Sequence, residues 1–420
     1  MMEMQALLEE FAQSVPRMAI EKVLTDKLAA AGEKVSKKTL TKMADAILAG
    51  KTRNFRIPSK GPNANITLTE DDANQIVELV ENFNDDGWQK IVESSAESVA
   101  KILYNALYRR LPKEIRAQQK DMNGFRRRLD GRYGVGLHKL RMMLTIAREW
   151  AGGIHERKLA QSGELSTLDD VLYRLHVRAC QVVTEIIVLL ENGLADGAMA
   201  RWRTLHELTT VATFIHTHGE EVAVKYKMFQ IVESKRAADL FDKNYAALGY
   251  KPLSEKVRTK IDADFNGLVA KYGRDFVQQY GWAADHFRGG GVNFDKIESA
   301  VGTPEMRSYY KFATYNVHAT PKGAFYRLGA LKGTGAIVAG HSNAGLTDPA
   351  QVCAMSFVQI CMLLPSDAAP WILDDLVIGK ILNRLMREIP RDIHAAEKKL
   401  KRDEMVYRKS TTQKRMPKAK

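Results

Sequence analysis

One short segment concentrates the residue types that transfer protons and bind phosphates. Residues 192–226 place Arg201, Arg203, His206 and Glu207 within seven residues of an otherwise apolar stretch. Positions three or four apart share a helix face, so Arg203 should face both His206 and Glu207. Arg201 and His206 are five apart and meet only if the helix bends or two subunits combine. Metal-free RNA cleavage needs a base and a cation, which makes His206 a candidate base and either arginine a candidate cation.

Two alternatives account for the same residues. Charged side chains are rarely fully buried unless they are paired, so a largely buried Arg203–Glu207 ion pair that holds the helix in place is the first. The second is a metal site built from Glu207, His286 and His318. The HExxH zinc motif is absent because residue 210 is threonine. A P-loop and a GxGxxG motif are also absent, and we expect no metal and no cofactor.

The net charge of +13 is concentrated in two blocks. Residues 101–148 carry 13 Lys/Arg and 3 Asp/Glu, and residues 398–420 carry 10 and 2, so the rest of the chain is acidic. Concentrated Lys/Arg neutralises phosphates, so both blocks are candidate contacts for RNA or DNA. A solvated helix face and a disordered tail are the alternatives. The candidate nucleic-acid-binding residues are Arg126, Arg127, Arg128 and Arg132.

Apolar residues recur every three to four positions through most of the chain, which predicts helices. We find no alternating run typical of strands, so the predicted class is all-α. Residues 50–66 contain Gly and Pro and predict a loop, with room for one short strand from Asn54 to Ile57. The helix that follows Trp88 should stop before Pro112, because proline removes a helical hydrogen bond.

The glycine pair Gly152-Gly153 and the polar segment 161–164 place the predicted main boundary within residues 150–168. The expected fold is a multi-helix bundle in two helical regions with a disordered basic tail. The regions are an N-terminal helical region of unknown type (1–165), a helical domain (168–392) and the tail (398–420). Deleting the tail should leave folding intact, because it has few apolar residues and one dominant charge sign.

Three features indicate a cytoplasmic protein that does not contact a membrane. The longest uncharged apolar run, about Val352 to Leu364, is shorter than the roughly 20 residues that span a bilayer. The first residues lack the basic start and apolar stretch of a signal peptide. The three cysteines form no CxxC pair, which is typical of a reducing compartment.

The segment from Gly193 to Tyr226, with Trp282, His286 and Tyr310–Gly329, resembles the bacterial family of unknown function DUF5677. The resemblance covers about residues 170–390. The family pattern of Arg-x-x-x-Glu on one helix and a later His-Ala falls on Arg203, Glu207 and His318. It implies a helical fold and little chemistry, because most members are uncharacterised. It also predicts that His318 lies close to the Arg203/Glu207 face.

A second resemblance is to HEPN-type ribonucleases, whose signature is an arginine followed after four to six residues by a histidine. Arg201 and His206 have this spacing. The resemblance implies metal-independent RNA cleavage in a defence or toxin system. We therefore expect a nucleic-acid-directed protein, either RNA-binding or a ribonuclease, which could act as a homodimer. The alternative is a non-enzymatic helical interaction or scaffold protein in which the Arg203–Glu207 pair is structural.

Overall fold

The computed structural model describes residues 2–57, 64–82, 88–289, 291–303, 305–331, 337–365 and 372–415. The chain divides into two compact units, Met1–Gln118 and Gln119–Lys420. Helices make up most of the described residues of each unit, so the predicted all-α class is confirmed. The division lies within a long helix, upstream of the region boundary that the sequence suggested at residue 165.

The described residues of the first unit form three complete helices, a β-hairpin and the start of a fourth helix. Its described elements are α1 (Met2–Ala30), α2 (Lys37–Leu48), β1 (Asn54–Ile57), β2 (Ala64–Thr67) and α3 (Glu70–Asn82). The predicted strand is therefore present, but it pairs antiparallel with β2, which the loop prediction had missed. Ile57 and Ile66 are both buried in a small core with residues of α1 and α2. Burial of these alternating apolar residues explains why a hairpin forms in a segment rich in turn residues.

The helix α4 (Trp88–Ser162) begins in the first unit and continues into the second. The second unit then contains α5 (Thr167–Glu191), α6 (Ala195–His218), α7 (Glu220–Asn244), α8 (Glu255–Tyr272), a 3-10 helix (Gly281–His286), α9 (Phe294–Ala300), α10 (Met306–Val317), α11 (Pro321–Phe325), α12 (Thr347–Cys361) and α13 (Ile372–Arg415). The central helix is α6, which packs against α5, α10 and α12.

Trp202 anchors α6 in the core of the second unit. Its side chain is fully buried, and its indole Nε1 donates hydrogen bonds to the Val352 carbonyl and the Ser356 hydroxyl of α12, each at 3.0 Å. A buried indole N–H needs such a partner to avoid the cost of desolvation. The rotation of α6 about its own axis is therefore fixed, and with it the directions of the charged residues on either side of Trp202.

The contact between α4 and α13 joins parts of the chain that are far apart in sequence. Lys139 of α4 donates to Glu388 at 2.7 Å and to Asp392 at 2.6 Å, both on α13. About three turns further along α4, Trp150 donates from Nε1 to Asp375 at 2.7 Å, across a separation of 225 residues. These contacts hold α4 against α13 within the second unit.

The predicted end of the helix before Pro112 was wrong. The helix α4 continues through Pro112 to Ser162. The residues around Pro112 are exposed, so water can satisfy the carbonyl that proline leaves unpaired.

The predicted disordered tail also differs from the structure, because a helix continues into it. The helix α13 continues to Arg415, Leu400 is buried, and Asp403 pairs with Arg132 at 2.8 Å. The apolar stripe of Leu382, Leu385, Ile389 and Ile393 extends to Leu400, so the helix still has a buried face where the charge density suggested disorder. Residues 416–420 of the predicted tail lie outside the described residues.

Candidate functional site

The four candidate site residues of α6 point in three directions. Arg203 Nε and Glu207 Oε1 are 3.0 Å apart on one face, as their spacing predicts. Arg201 points elsewhere and binds Glu185 of α5, with a further contact to Thr204 at 3.3 Å. His206 points into the core. Arg201 and His206 therefore bind different carboxylates on different elements, and the geometry does not bring them together as base and cation.

The Arg203 cluster consists of Arg203, Glu207, Tyr310 and His318. The Tyr310 hydroxyl of α10 donates to Glu207 Oε1 at 2.6 Å, and the Arg203 guanidinium lies over the Tyr310 ring at 4.8 Å from its centroid. Arg203 Nη1 is 3.4 Å from His318 Nε2. His318 is the residue at which α10 ends. The prediction that His318 lies close to the Arg203/Glu207 face is confirmed.

This cluster is only half-buried, which corrects the expectation of a largely buried ion pair. The side chains of Arg203 and Glu207 keep 24% and 36% of their exposed area, and His318 is exposed. Burial raises the pKa of Tyr310, and the Glu207 carboxylate raises this pKa further, so the phenol stays a hydrogen-bond donor. The cluster is thus an ordered polar site that solvent and ligands can reach through His318.

The buried charged pair of this region is instead His206 with Glu298, which sequence reasoning missed. His206 Nε2 and Glu298 Oε1 are 2.7 Å apart, with side-chain exposures of 2% and 5%. Arg307 Nη1 binds the other Glu298 oxygen at 2.7 Å. Burial lowers the pKa of His206, while the Glu298 carboxylate opposes that shift. Trp202 stacks on the His206 ring, so this imidazole is sealed from any substrate in this conformation.

The alternative metal set is not assembled. His286 packs against His218, with ring centroids 4.0 Å apart, and against Phe214 at 5.7 Å. Burial lowers the pKa of His218, and the neighbouring His286 lowers it further. Across the part of the chain that the structure describes, no group of three or more His, Cys, Asp or Glu is placed to hold a metal ion. Glu207 and His318 therefore belong to the Arg203 cluster and not to a metal site with His286.

The first basic block differs between its two halves. In the second half, Arg126 donates to Asn192 at 2.8 Å and Arg132 pairs with Asp403, so these two side chains have internal partners. Arg127 and Arg128 are exposed, and neither forms an ion pair with a described residue. In the first half, the six Lys/Arg of residues 101–120 are exposed on α4, and none pairs with a described carboxylate. The block's available cations thus lie mainly before residue 121.

An aromatic surface consists of Phe312 in the middle of α10 and of Phe325 and Tyr326 at the end of α11. Phe325 is 92% exposed, and the Phe312 and Tyr326 ring centroids are 5.8 Å apart. Lys322 lies over the Tyr326 ring at 5.3 Å. The sequence from residue 306 to residue 347 contains five Lys/Arg and no Asp or Glu. Exposed rings beside Lys322 form a surface on which planar ligands can stack.

Local structure holds this surface beside the Arg203 cluster. Thr320 caps α11 by accepting from the Gly323 amide at 3.2 Å. Gly323 packs so tightly that an added Cβ would meet the Tyr315 carbonyl oxygen at 2.0 Å, so α11 lies directly on the end of α10. His318 is in the short connection between these two helices. The connection therefore joins the aromatic surface to the Arg203 cluster.

These features define an all-α region whose polar site is built from α6 and α10. Residues 169–335 match the sequence pattern of a family described as a family of unknown function, DUF5677. The match covers less than half of the chain but contains Arg203, Glu207, Tyr310 and His318, so similarity to this family extends over the whole Arg203 cluster. No curated protein and no solved structure matches the chain. The resemblance to HEPN-type ribonucleases gains no support from these comparisons and stays a prediction.

None of the helices that the structure describes is long and apolar enough to cross a bilayer.

Proposed function

We propose that the protein binds single-stranded RNA across the aromatic surface and the exposed edge of the Arg203 cluster. The observation that carries this proposal is the exposure of Phe325, Phe312 and Tyr326 next to Lys322 within a stretch that has no acidic residue. Stacking of a base on an aromatic side chain contributes about 1–3 kcal/mol and tolerates any base. Lys/Arg side chains then neutralise the phosphates between the stacked bases.

The exposed cations of α4 support the same function. The six Lys/Arg of residues 101–120 have no carboxylate partner among the described residues, so binding a phosphate would break no ion pair of theirs. The arginines that do have partners, such as Arg132, would first have to give up an internal contact. We therefore expect the first half of the basic block to contribute more to RNA affinity than the second half.

A second candidate function, metal-independent RNA cleavage, is favoured by one specific contact. The His318 imidazole lies 3.4 Å from the Arg203 guanidinium at the exposed edge of the cluster. An accessible imidazole can accept a proton from a 2′-hydroxyl while the adjacent guanidinium binds the phosphate. We assign these roles to His318 and Arg203, because His206 is sealed in the core. A place in a defence or toxin system, and action as a homodimer, stay predictions.

Binding is tested with the full-length protein and fluorescently labelled single-stranded RNA, single-stranded DNA and duplex RNA of equal length. Fluorescence anisotropy at about 50 mM and about 200 mM salt should show a steep loss of affinity, near −0.7 in log–log slope per neutralised phosphate. Phe325→Ala should weaken RNA binding about 5- to 150-fold, the range that corresponds to loss of one stacked base. Tyr250→Ala, at another exposed aromatic residue of the same unit, is the matched control.

Different results would contradict RNA binding and RNA cleavage. If no RNA is bound at low salt, or if Phe325→Ala and Tyr250→Ala bind alike, the RNA-binding proposal is wrong and a helical interaction protein becomes the better description. For cleavage, end-labelled RNA is incubated with EDTA and compared with the His318→Ala variant. Cleavage that survives His318→Ala, or that also degrades DNA, would rule out the assigned roles.

A further inference from the structure

A cleft lies on the second unit between α5, α7 and the segment that leads into the 3-10 helix. Its volume is about 770 Å³, within the range of roughly 300–1,000 Å³ typical of small-molecule sites. Aromatic walls line the cleft from several sides: Tyr226, Phe229, Tyr280 and Trp282. Tyr226 and Trp282 meet edge to face, with ring centroids 5.1 Å apart. The cleft therefore offers flat apolar surfaces, which suit a flat aromatic ligand.

Tyr280, which lines this cleft, has an unusual backbone conformation. Its backbone has φ 54° and ψ 27°, and it is the only non-glycine residue with positive φ among the described residues. Non-glycine residues in this left-handed region are uncommon and cluster at functional sites. Burial raises the pKa of Tyr280, the Glu207 carboxylate raises it further, and Arg203 lowers it. Charges of the Arg203 cluster therefore act on the hydroxyl of a tyrosine that lines the cleft.

Five charged residues line the cleft, and two of them lie one turn apart on α7. Glu233 and Arg236 are three positions apart and share a helix face. Arg236 Nη2 donates to the Val277 carbonyl at 2.6 Å, which orients the guanidinium and leaves its other N–H groups available. Among the described residues, the Glu233 carboxylate and the Gln279 amide have no side-chain hydrogen-bond partner. Asp170 also lines the cleft, but it pairs with Arg174 and Lys227 of the same lining. Glu233 and Arg236 form no ion pair with a described residue, so the cleft offers one unpaired carboxylate and one unpaired guanidinium to a ligand.

The carboxylate of Glu233 and the guanidinium of Arg236 together match the hydrogen-bonding edges of guanine. Guanine presents O6 and N7 as adjacent acceptors, which a guanidinium binds in a bidentate manner. Its N1–H and exocyclic amino group are adjacent donors, which a carboxylate can accept together. Adenine places a donor amino group next to N7, where the guanidinium would repel it, and pyrimidines lack N7.

We propose that this cleft binds a guanine base, stacked on Tyr280 and read by Glu233 and Arg236. The inference rests on the proposed RNA-binding function, because the base would belong to the strand that crosses the Arg203 cluster. It adds a sequence preference that the aromatic surface alone does not provide, since stacking tolerates every base.

The test compares GMP with IMP, AMP and UMP on the full-length protein by isothermal titration calorimetry. GMP and IMP share the phosphate, O6, N7 and N1–H, and differ only in the amino group that Glu233 would accept. The wild type should bind GMP about 5- to 150-fold more tightly than IMP, the range expected for a specific base contact. Glu233→Gln should reduce this ratio toward one. Glu149→Gln, at an exposed carboxylate outside the cleft, should leave it unchanged.

The outcomes separate this inference from the proposed function. If labelled RNA binds but GMP and IMP bind equally, or if Glu233→Gln leaves their ratio intact, the guanine site is wrong and RNA binding stands. Tighter binding of AMP or UMP than GMP also overturns the assignment. If RNA does not bind but GMP is selected in a Glu233-dependent manner, RNA binding fails and the cleft is a nucleotide site. Tyr280→Ala, which removes the stacking surface, should weaken all four nucleotides and leave Phe325-dependent RNA binding in place.

Discussion

Breaking the buried His206–Glu298 pair should cost far more stability than breaking the neighbouring Arg203–Glu207 pair. Glu298 accepts charge-assisted hydrogen bonds from His206 and Arg307, both at 2.7 Å, with an exposed fraction of 5%. Removing one partner of such a buried pair typically costs about 3–5 kcal/mol, because the other group is left desolvated. Glu207 keeps 36% of its exposed area, so water replaces much of what Arg203 provides. The expected cost of Glu207→Ala is therefore about 1 kcal/mol.

These values convert to distinct melting temperatures. A unit of this size loses about 2 °C per kcal/mol, so Glu298→Ala should lower the melting temperature by about 6–10 °C and Glu207→Ala by about 2 °C. Differential scanning calorimetry and urea unfolding of both variants provide the comparison. The double variant His206→Phe with Glu298→Leu should regain part of the loss, because apolar side chains can replace a buried ion pair. Equal melting temperatures for Glu298→Ala and Glu207→Ala would refute the reasoning.

Three further predictions concern acid stability, a glycine turn and the end of α13. Burial lowers the pKa of His176 to about 4, below its value of roughly 6.5 in an unfolded chain. The unfolded state thus binds protons more readily between these values, so about 3 kcal/mol of stability should be lost as pH falls from about 6.5 to about 4. Urea midpoints at several pH values should show this loss, and His176→Gln should flatten it. Gly193→Ala should be far more damaging than Gly219→Ala in melting experiments, because both have positive φ but only Gly193 has a backbone oxygen 2.4 Å from the added Cβ. Removing residues 400–420 should destabilise the protein by about 2–5 kcal/mol through loss of the buried Leu400, whereas removing only the last ten residues should leave the melting temperature unchanged.

Contacts between residues close in sequence could be predicted from the sequence, whereas contacts between distant residues could not. The Arg203–Glu207 contact follows from a spacing of four on a helix, and the helix itself follows from its apolar period. Glu298 is 92 positions from His206, so no local pattern could name it as the partner. The proximity of His318 was predicted from a family resemblance and not from spacing.

Backbone conformations that the residue type does not favour could also not be predicted from the sequence. Tyr280 adopts positive φ although tyrosine has no preference for it. Pro112 is a strong helix-ending signal, yet α4 continues through it because the freed carbonyl faces water. Charge density suggested disorder after residue 398, but a single buried leucine at position 400 shows that α13 keeps a core-facing side there.

Because α4 and α13 are far apart in sequence, the contact between them forms only long after α4 has been synthesised. Trp150 needs Asp375 as its hydrogen-bond acceptor, and 225 residues separate the two. At about 5–20 residues per second, a ribosome adds this length in about 11–45 s. During that interval the apolar face of α4 that α13 covers is complete but unprotected. Newly made chains should therefore engage chaperones at this stage, and chains released before α13 emerges should aggregate instead of accumulating as a smaller folded protein.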